Sequence, residues 1–76
     1  MARLPIISGQ RAVKVFAKAG WKTRWQVGSH VTMEKEGKRA TLSIPQHREL
    51  GRGLLRALIR DAGLTVNEFV AFLRDP

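Results

Sequence analysis

Near Trp21 the hydrophobic period of the chain changes from that of a helix to that of a strand, and this switch constrains the fold more than any other feature. Before it, Val13, Phe16 and Ala17 recur at helical spacing with Ala12 beside them, while Arg11, Lys14 and Lys18 gather on the far side. Ser8 supplies an N-cap and Gly20 a C-terminal stop, so the spacing predicts a first helix of about a dozen residues. After it, Trp21, Thr23 and Trp25 alternate with Lys22, Arg24 and Gln26, the pattern of a half-buried strand with both tryptophans on its apolar face. Past Val27-Gly28, Val31 and Met33 alternate with His30, Thr32 and Glu34. Ala40, Leu42 and Ile44 then alternate with Thr41 and Ser43.

Gly37-Lys38 reads as a two-residue hairpin loop with glycine at its first central position, the type II′ pattern. Such a loop pairs Glu36 with Arg39, sets Val31 opposite Ile44 and Met33 opposite Leu42, and gathers the apolar side chains on one face. His30 opposite Pro45, Thr32 opposite Ser43 and Glu34 opposite Thr41 fall on the other. A slip of one residue would mix the two sets, so patterning specifies the register.

A second helix is expected from about Gly51 to just before Gly63, with Leu54, Leu55, Leu58, Ile59 and Ala62 as its apolar stripe and Arg52, Arg56 and Arg60 opposite. Thr65 with Glu68 forms a capping box, and Leu64 with Phe69 a hydrophobic staple, for a short third helix. Val66, Phe69, Val70 and Leu73 of that helix face inward. No repeat, linker or low-complexity tract interrupts the chain, so residues 1–76 are read as one α+β domain of order α-β-β-β-α(-α). Its helices are expected to cover the apolar face of a three-stranded antiparallel sheet. The other face would carry His30, Thr32, Ser43, Lys22 and Arg24.

Fourteen Lys and Arg against six Asp and Glu give a formal net charge of +8, which calls for a polyanionic partner: nucleic acid, an anionic membrane or an acidic protein. The absence of cysteine excludes disulfides and zinc–thiolate sites. No stretch approaches the roughly 20 apolar residues of a membrane span, and the opening Met1 to Ser8 lacks the longer apolar run of a signal peptide. A cytoplasmic protein without membrane contact is expected. The six acids are scattered, with no HExxH and no paired-carboxylate spacing, and Gly51-x-Gly53 alone makes no nucleotide fingerprint. Neither a metal nor a small-molecule cofactor is therefore expected.

That leaves the histidines. His30 sits on the outward face of a strand, just after Gly28-Ser29, and reads either as an idle surface histidine or as a proton-transfer group. RNA gives the second reading substance, because its own 2′-OH is the nucleophile. Cleavage then needs a base, an acid and cationic stabilisation, but no metal. Histidine titrates near neutrality and serves in either role. His47 shares this face if the third strand runs on past Pro45; it would then lie opposite Gly28, displaced about 7 Å from His30 along the strands. Otherwise it is a phosphate or turn contact. Trp21 and Trp25 are read as core residues, with stacking on bases as the alternative.

At Gly28-Ser29-His30-Val31 the chain resembles the active-site segment of the HicA mRNA interferase toxins of HicAB toxin–antitoxin systems. Leu4-Pro5-Ile6-Ile7-Ser8-Gly9, Lys18-Ala19-Gly20-Trp21, Pro45-Gln46-His47-Arg48-Glu49-Leu50, Gly53-Leu54-Leu55-Arg56 and Ala62-Gly63-Leu64-Thr65-Val66-Asn67-Glu68-Phe69 resemble further family segments in order. Leu54 departs from the family, in which threonine is common at that place. The resemblance implies a double-stranded-RNA-binding-domain-like fold and translation-independent mRNA cleavage with His30 as catalytic residue. It also implies a HicB antitoxin partner that masks the site. The expected RNA contacts are Lys22, Arg24, Gly28, Ser29, His47, Arg48, Arg52 and Arg56. A non-catalytic double-stranded-RNA-binding module of the same fold is the alternative, and a basic subunit of a larger complex a third reading.

Overall fold

The computed structural model describes residues 3–75; Met1, Ala2 and Pro76, which belong to the chain ends read above, lie outside the described residues. Ser8 Oγ accepts the backbone N–H of Arg11 at 3.0 Å and starts α1 (Gly9–Lys18). Gly20, at φ +98, closes it as expected. The buried face of α1 is Ala12, Val15 and Phe16, with Val13 half-buried; Ala17, expected inside, is exposed. The true stripe runs at the spacing of residues 12, 15 and 16, one step round the helix from the expected one.

The three strands, β1 (Lys22–Val27), β2 (His30–Glu34) and β3 (Leu42–Pro45), form an antiparallel sheet in the order β1-β2-β3. Val31 pairs with Ile44, Met33 with Leu42, His30 with Pro45 and Thr32 with Ser43, the register expected from the pattern. The connection differs. Ladder pairing stops at Met33 and Leu42, so Glu34 and Thr41 are not partners, and Ala40 is exposed outside the strand. The turn spans Lys35–Lys38, closed by the Lys38 N–H on the Lys35 carbonyl, with Gly37 at its third position and φ +83. A positive φ at that place is what glycine supplies to a type II turn. The two-residue glycine-first loop occurs instead between β1 and β2. There Val27 pairs with His30, and Gly28 takes φ +57.

Strand β1 carries the largest departure. Its register on β2 shifts between Thr23 and Trp25: Thr23 pairs with Met33 but Trp25 with Thr32, leaving Arg24 as the extra residue of a bulge. The bulge reverses the alternation. Trp21 is buried as expected, whereas Trp25 is 52 % exposed and belongs to the outward face, not the core.

Helix α2 (Arg52–Asp61) buries Leu55, Leu58 and Ile59, with Ala62 just beyond it, while Leu54 at its first turn is exposed. Helix α3 (Val66–Arg74) has the expected capping box: Glu68 N–H donates to Thr65 Oγ1 at 3.0 Å and Thr65 N–H to Glu68 Oε1 at 2.8 Å. Thr65→Ala removes one acceptor from this box and is expected to cost about 1 kcal/mol in urea unfolding. Helices α1 and α2 lie on the sheet, and α3 packs on both helices, with the Phe16 and Phe69 rings 5.1 Å apart at 52°. Phe16, Trp21, Met33, Leu42, Ile44, Leu50, Leu55 and Phe69 meet in one core on the inner face of the sheet.

Several cations hold helix ends rather than facing outward as free charges. Arg11 Nη2 donates to the Leu73 carbonyl and Lys18 Nζ to the carbonyls of Phe72 and Asp75, at the C-terminus of α3. Lys35 Nζ donates to the Ala19 carbonyl at the end of α1. These carbonyls lie at helix C-termini, where positive charge is favourable.

Candidate active site

The outer face of the sheet is left open by the helices, and His30 stands at one end of its central strand. Val27 on β1 and Pro45 on β3 flank it in the ladder. The tight Gly28-Ser29 turn immediately before it fixes where β2 begins. Gln26 Nε2 donates to the Gly28 carbonyl, and the Gln46 N–H donates to the Ser29 carbonyl, tying this turn to the exit of β3. The His30 side chain is exposed and makes no hydrogen bond or ion pair with any described residue.

The sheet neighbours of His30 on this face are Val27, Pro45, Thr32, Trp25 and Ser43, none of them charged. The expected cationic side chains of the sheet lie elsewhere. Lys22 pairs with Glu34, four residues along β2 from His30, or about 13 Å at strand rise. Lys22, Arg24, Lys35 and Lys38 line a cleft at that far end together with Glu34 and Glu36. Within it Arg24 Nε lies 2.7 Å from Glu34 Oε1, an exposed ion pair of the kind that stabilises little.

His47 does not extend the ladder. Strand β3 ends at Pro45, and the His47 carbonyl accepts the N–H of Gly9 at 2.9 Å, so the backbone has turned toward the start of α1. The exposed His47 and Arg48 line a shallow cleft with Ser8, Gln10 and Gln46, in which His30 takes no part. Through Gln46 this cleft adjoins the Gly28-Ser29 turn. A third group forms at the start of α2, where Arg52 Nε donates to the Leu4 carbonyl at 3.0 Å and Arg52 and Arg56 share a groove with Arg3. Gly51 gives that helix no side-chain cap, and its first turn has no acid.

The eight expected RNA contacts thus occupy the Gly28-Ser29 turn and three separate clefts rather than one pocket. Among the described residues no three His, Asp or Glu side chains come together as a metal-binding group. No helix among them is long and apolar enough to cross a membrane. Strand alternation alone missed Trp25 and Val27 on the face of His30. A two-residue Gly28-Ser29 turn counted back from His30 places Trp25 opposite Thr32, which conflicts with an inward Trp21 unless a bulge intervenes. That conflict was the available signal.

An α-β-β-β-α-α chain with one open sheet face and a net charge of +8 defines a double-stranded-RNA-binding-domain-like protein. The family described as the HicA toxin of bacterial toxin–antitoxin systems matches residues 9–64, and the chain belongs to that family. Among solved structures, a chain of a toxin–antitoxin complex from Streptococcus pneumoniae is 36% identical, with a TM-score of 0.67. The similarity covers 76% of this chain and 98% of that one. No curated protein matches the sequence.

Proposed function

We propose that this chain is an mRNA interferase: an endoribonuclease toxin that cuts mRNA on its open sheet face with His30 as general acid/base, neutralised by a HicB-type antitoxin. The observation that carries this reading is His30 itself, its side chain exposed and without a partner among the described residues, at the end of the central strand of a +8 domain of the HicA family. In the reaction the ribose 2′-oxygen bonds to the adjacent phosphorus while the bond from phosphorus to the 5′-oxygen breaks. The 2′-OH proton leaves to a base and the departing 5′-oxygen receives a proton from an acid. His30 is one of these two groups. The products are a 2′,3′-cyclic phosphate and a 5′-hydroxyl. The nucleophile is the RNA's own, so the chemistry calls for neither metal nor cofactor.

The remaining residues position the substrate. The Gly28-Ser29 turn admits the backbone of RNA beside His30, since space lies open around the Gly28 Cα. His47 and Arg48 hold phosphate next to that turn, and Lys22 and Arg24 hold it about 13 Å away, with Arg24 exchanging Glu34 for the ligand. Arg52 and Arg56 extend the track at the start of α2. An antitoxin with an acidic surface would neutralise these clefts and cover the sheet, the complementarity that a domain of this charge invites. The whole chain, residues 1–76, acts as one domain in the cytoplasm, where mRNA is its substrate.

Expression of the chain in bacteria tests this directly. Growth should stop and mRNA should shorten even with translation blocked, and co-expression of the antitoxin should restore both. Intact mRNA in cells accumulating folded chain would contradict the reading.

A further inference from the structure

Trp25 is the feature of the open face that the roles above leave unexplained. A tryptophan that packs a core is buried, as Trp21 is at 2 % exposure, but Trp25 is turned outward by the Arg24 bulge and left 52 % exposed. It pairs with Thr32, whose next neighbour along the outer face of β2 is His30. Trp25 and His30 are therefore diagonal neighbours on antiparallel strands, about 7–8 Å apart at the backbone and within reach of an aromatic side chain. That distance is of the order of one nucleotide step. We propose that the Trp25 indole is the base platform of this site: a nucleobase of single-stranded RNA stacks on it and so sets the flanking phosphodiester against His30. The assignment rests on the ribonuclease reading of His30.

Two observations favour RNA over a protein as the occupant. Among the described residues, large apolar exposure on this face is confined to Trp25 and Val27, with Ile6 and Leu54 outside the sheet. That is little for the desolvated centre of a protein interface but enough for one base, which needs a single ring face. The surroundings also suit a polyanion: Lys22, Arg24, Lys35 and Lys38 lie in the cleft toward the far end of β2 and His47 and Arg48 beside the Gly28-Ser29 turn, with Thr32 and Ser43 paired on the strands between. Aromatic side chains on an open sheet are a general means of holding splayed RNA bases.

The test uses the full chain and a short labelled RNA, 2′-O-methylated at whichever nucleotides the wild type cleaves. Trp25→Ala should weaken binding about 5- to 150-fold, and Trp25→Phe should restore most of the loss. Abasic substitutions scanned along the RNA should find one position where wild type loses a similar factor and Trp25→Ala loses almost nothing further. Equal affinity of Trp25→Ala and wild type, or fully additive losses at every position, would sink the platform. So would a Trp25→Ala variant that cuts RNA normally but escapes the antitoxin, which would give the indole to a protein interface. Binding through Trp25 without any cleavage of unmodified RNA would instead overturn the ribonuclease reading and leave the platform standing.

Discussion

His30→Ala is expected to cut RNA about 10²–10⁴-fold more slowly than wild type, the range that one positioned proton-transfer group contributes. Its melting temperature should barely move. The His30 side chain is exposed and bonds to no other described residue, while its backbone pairing with Val27 and Pro45 does not depend on the ring. Surface substitutions of this kind stay within about 0.5 kcal/mol. His30→Gln sharpens the point, because it keeps size and hydrogen-bonding capacity but cannot relay a proton near neutral pH. Both variants should bind RNA with near-native affinity and fail in single-turnover cleavage. His47→Ala, in a separate cleft, should instead lose affinity while retaining the chemical step.

Gly9→Ala should do the reverse, striking the fold before the chemistry. Gly9 opens α1 against the exit of β3, and a Cβ there would sit 1.9 Å from the Pro45 carbonyl oxygen and 2.9 Å from the Gln46 Cα. These are backbone atoms and cannot step aside as a flexible side chain would. Yielding would also break the Gly9 N–H bond to the His47 carbonyl. The loss should reach about 3 kcal/mol, the upper part of the overpacking range, and lower Tm by roughly 12–24 °C for a domain of this size. Gly53→Ala is the matched control. It lies in the first turn of α2 with nothing near its Cα side, so alanine should stabilise by about 0.4–1 kcal/mol. Thermal melts of the two glycine variants should therefore move in opposite directions.

The parts of the fold that could be read from sequence are those where one signal faced no competitor. Val31, Met33, Leu42 and Ile44 must share a face, and only one pairing of β2 with β3 allows it. Thr65 and Glu68 satisfy each other's backbone partners within four residues, so the start of α3 needs no tertiary information. Strand β1 lacked such security. Lys22 and Thr23 follow one register against β2, and the Gly28-Ser29 turn imposes another on Trp25, Gln26 and Val27; Arg24 absorbs the difference. Uniform alternation therefore sent Trp25 to the wrong face. In the same way a glycine-first turn assigned to Gly37-Lys38 belongs to Gly28-Ser29, because Gly37 takes its positive φ one place later in the Lys35–Lys38 turn. His30 was legible as an exposed side chain of the open face. Its separation from Lys22, Arg24 and His47 was not, since strand length and the turn after Pro45 decide it.

Attack by the 2′-OH is recorded in the ends of the products. Wild-type protein should cut an RNA in the presence of EDTA to fragments ending in 2′,3′-cyclic phosphate and beginning with 5′-hydroxyl. A single 2′-O-methyl at the scissile nucleotide should abolish that cut alone. Fragments bearing 5′-phosphate, or cleavage that persists at the methylated position, would contradict attack by the 2′-OH and with it the role assigned to His30.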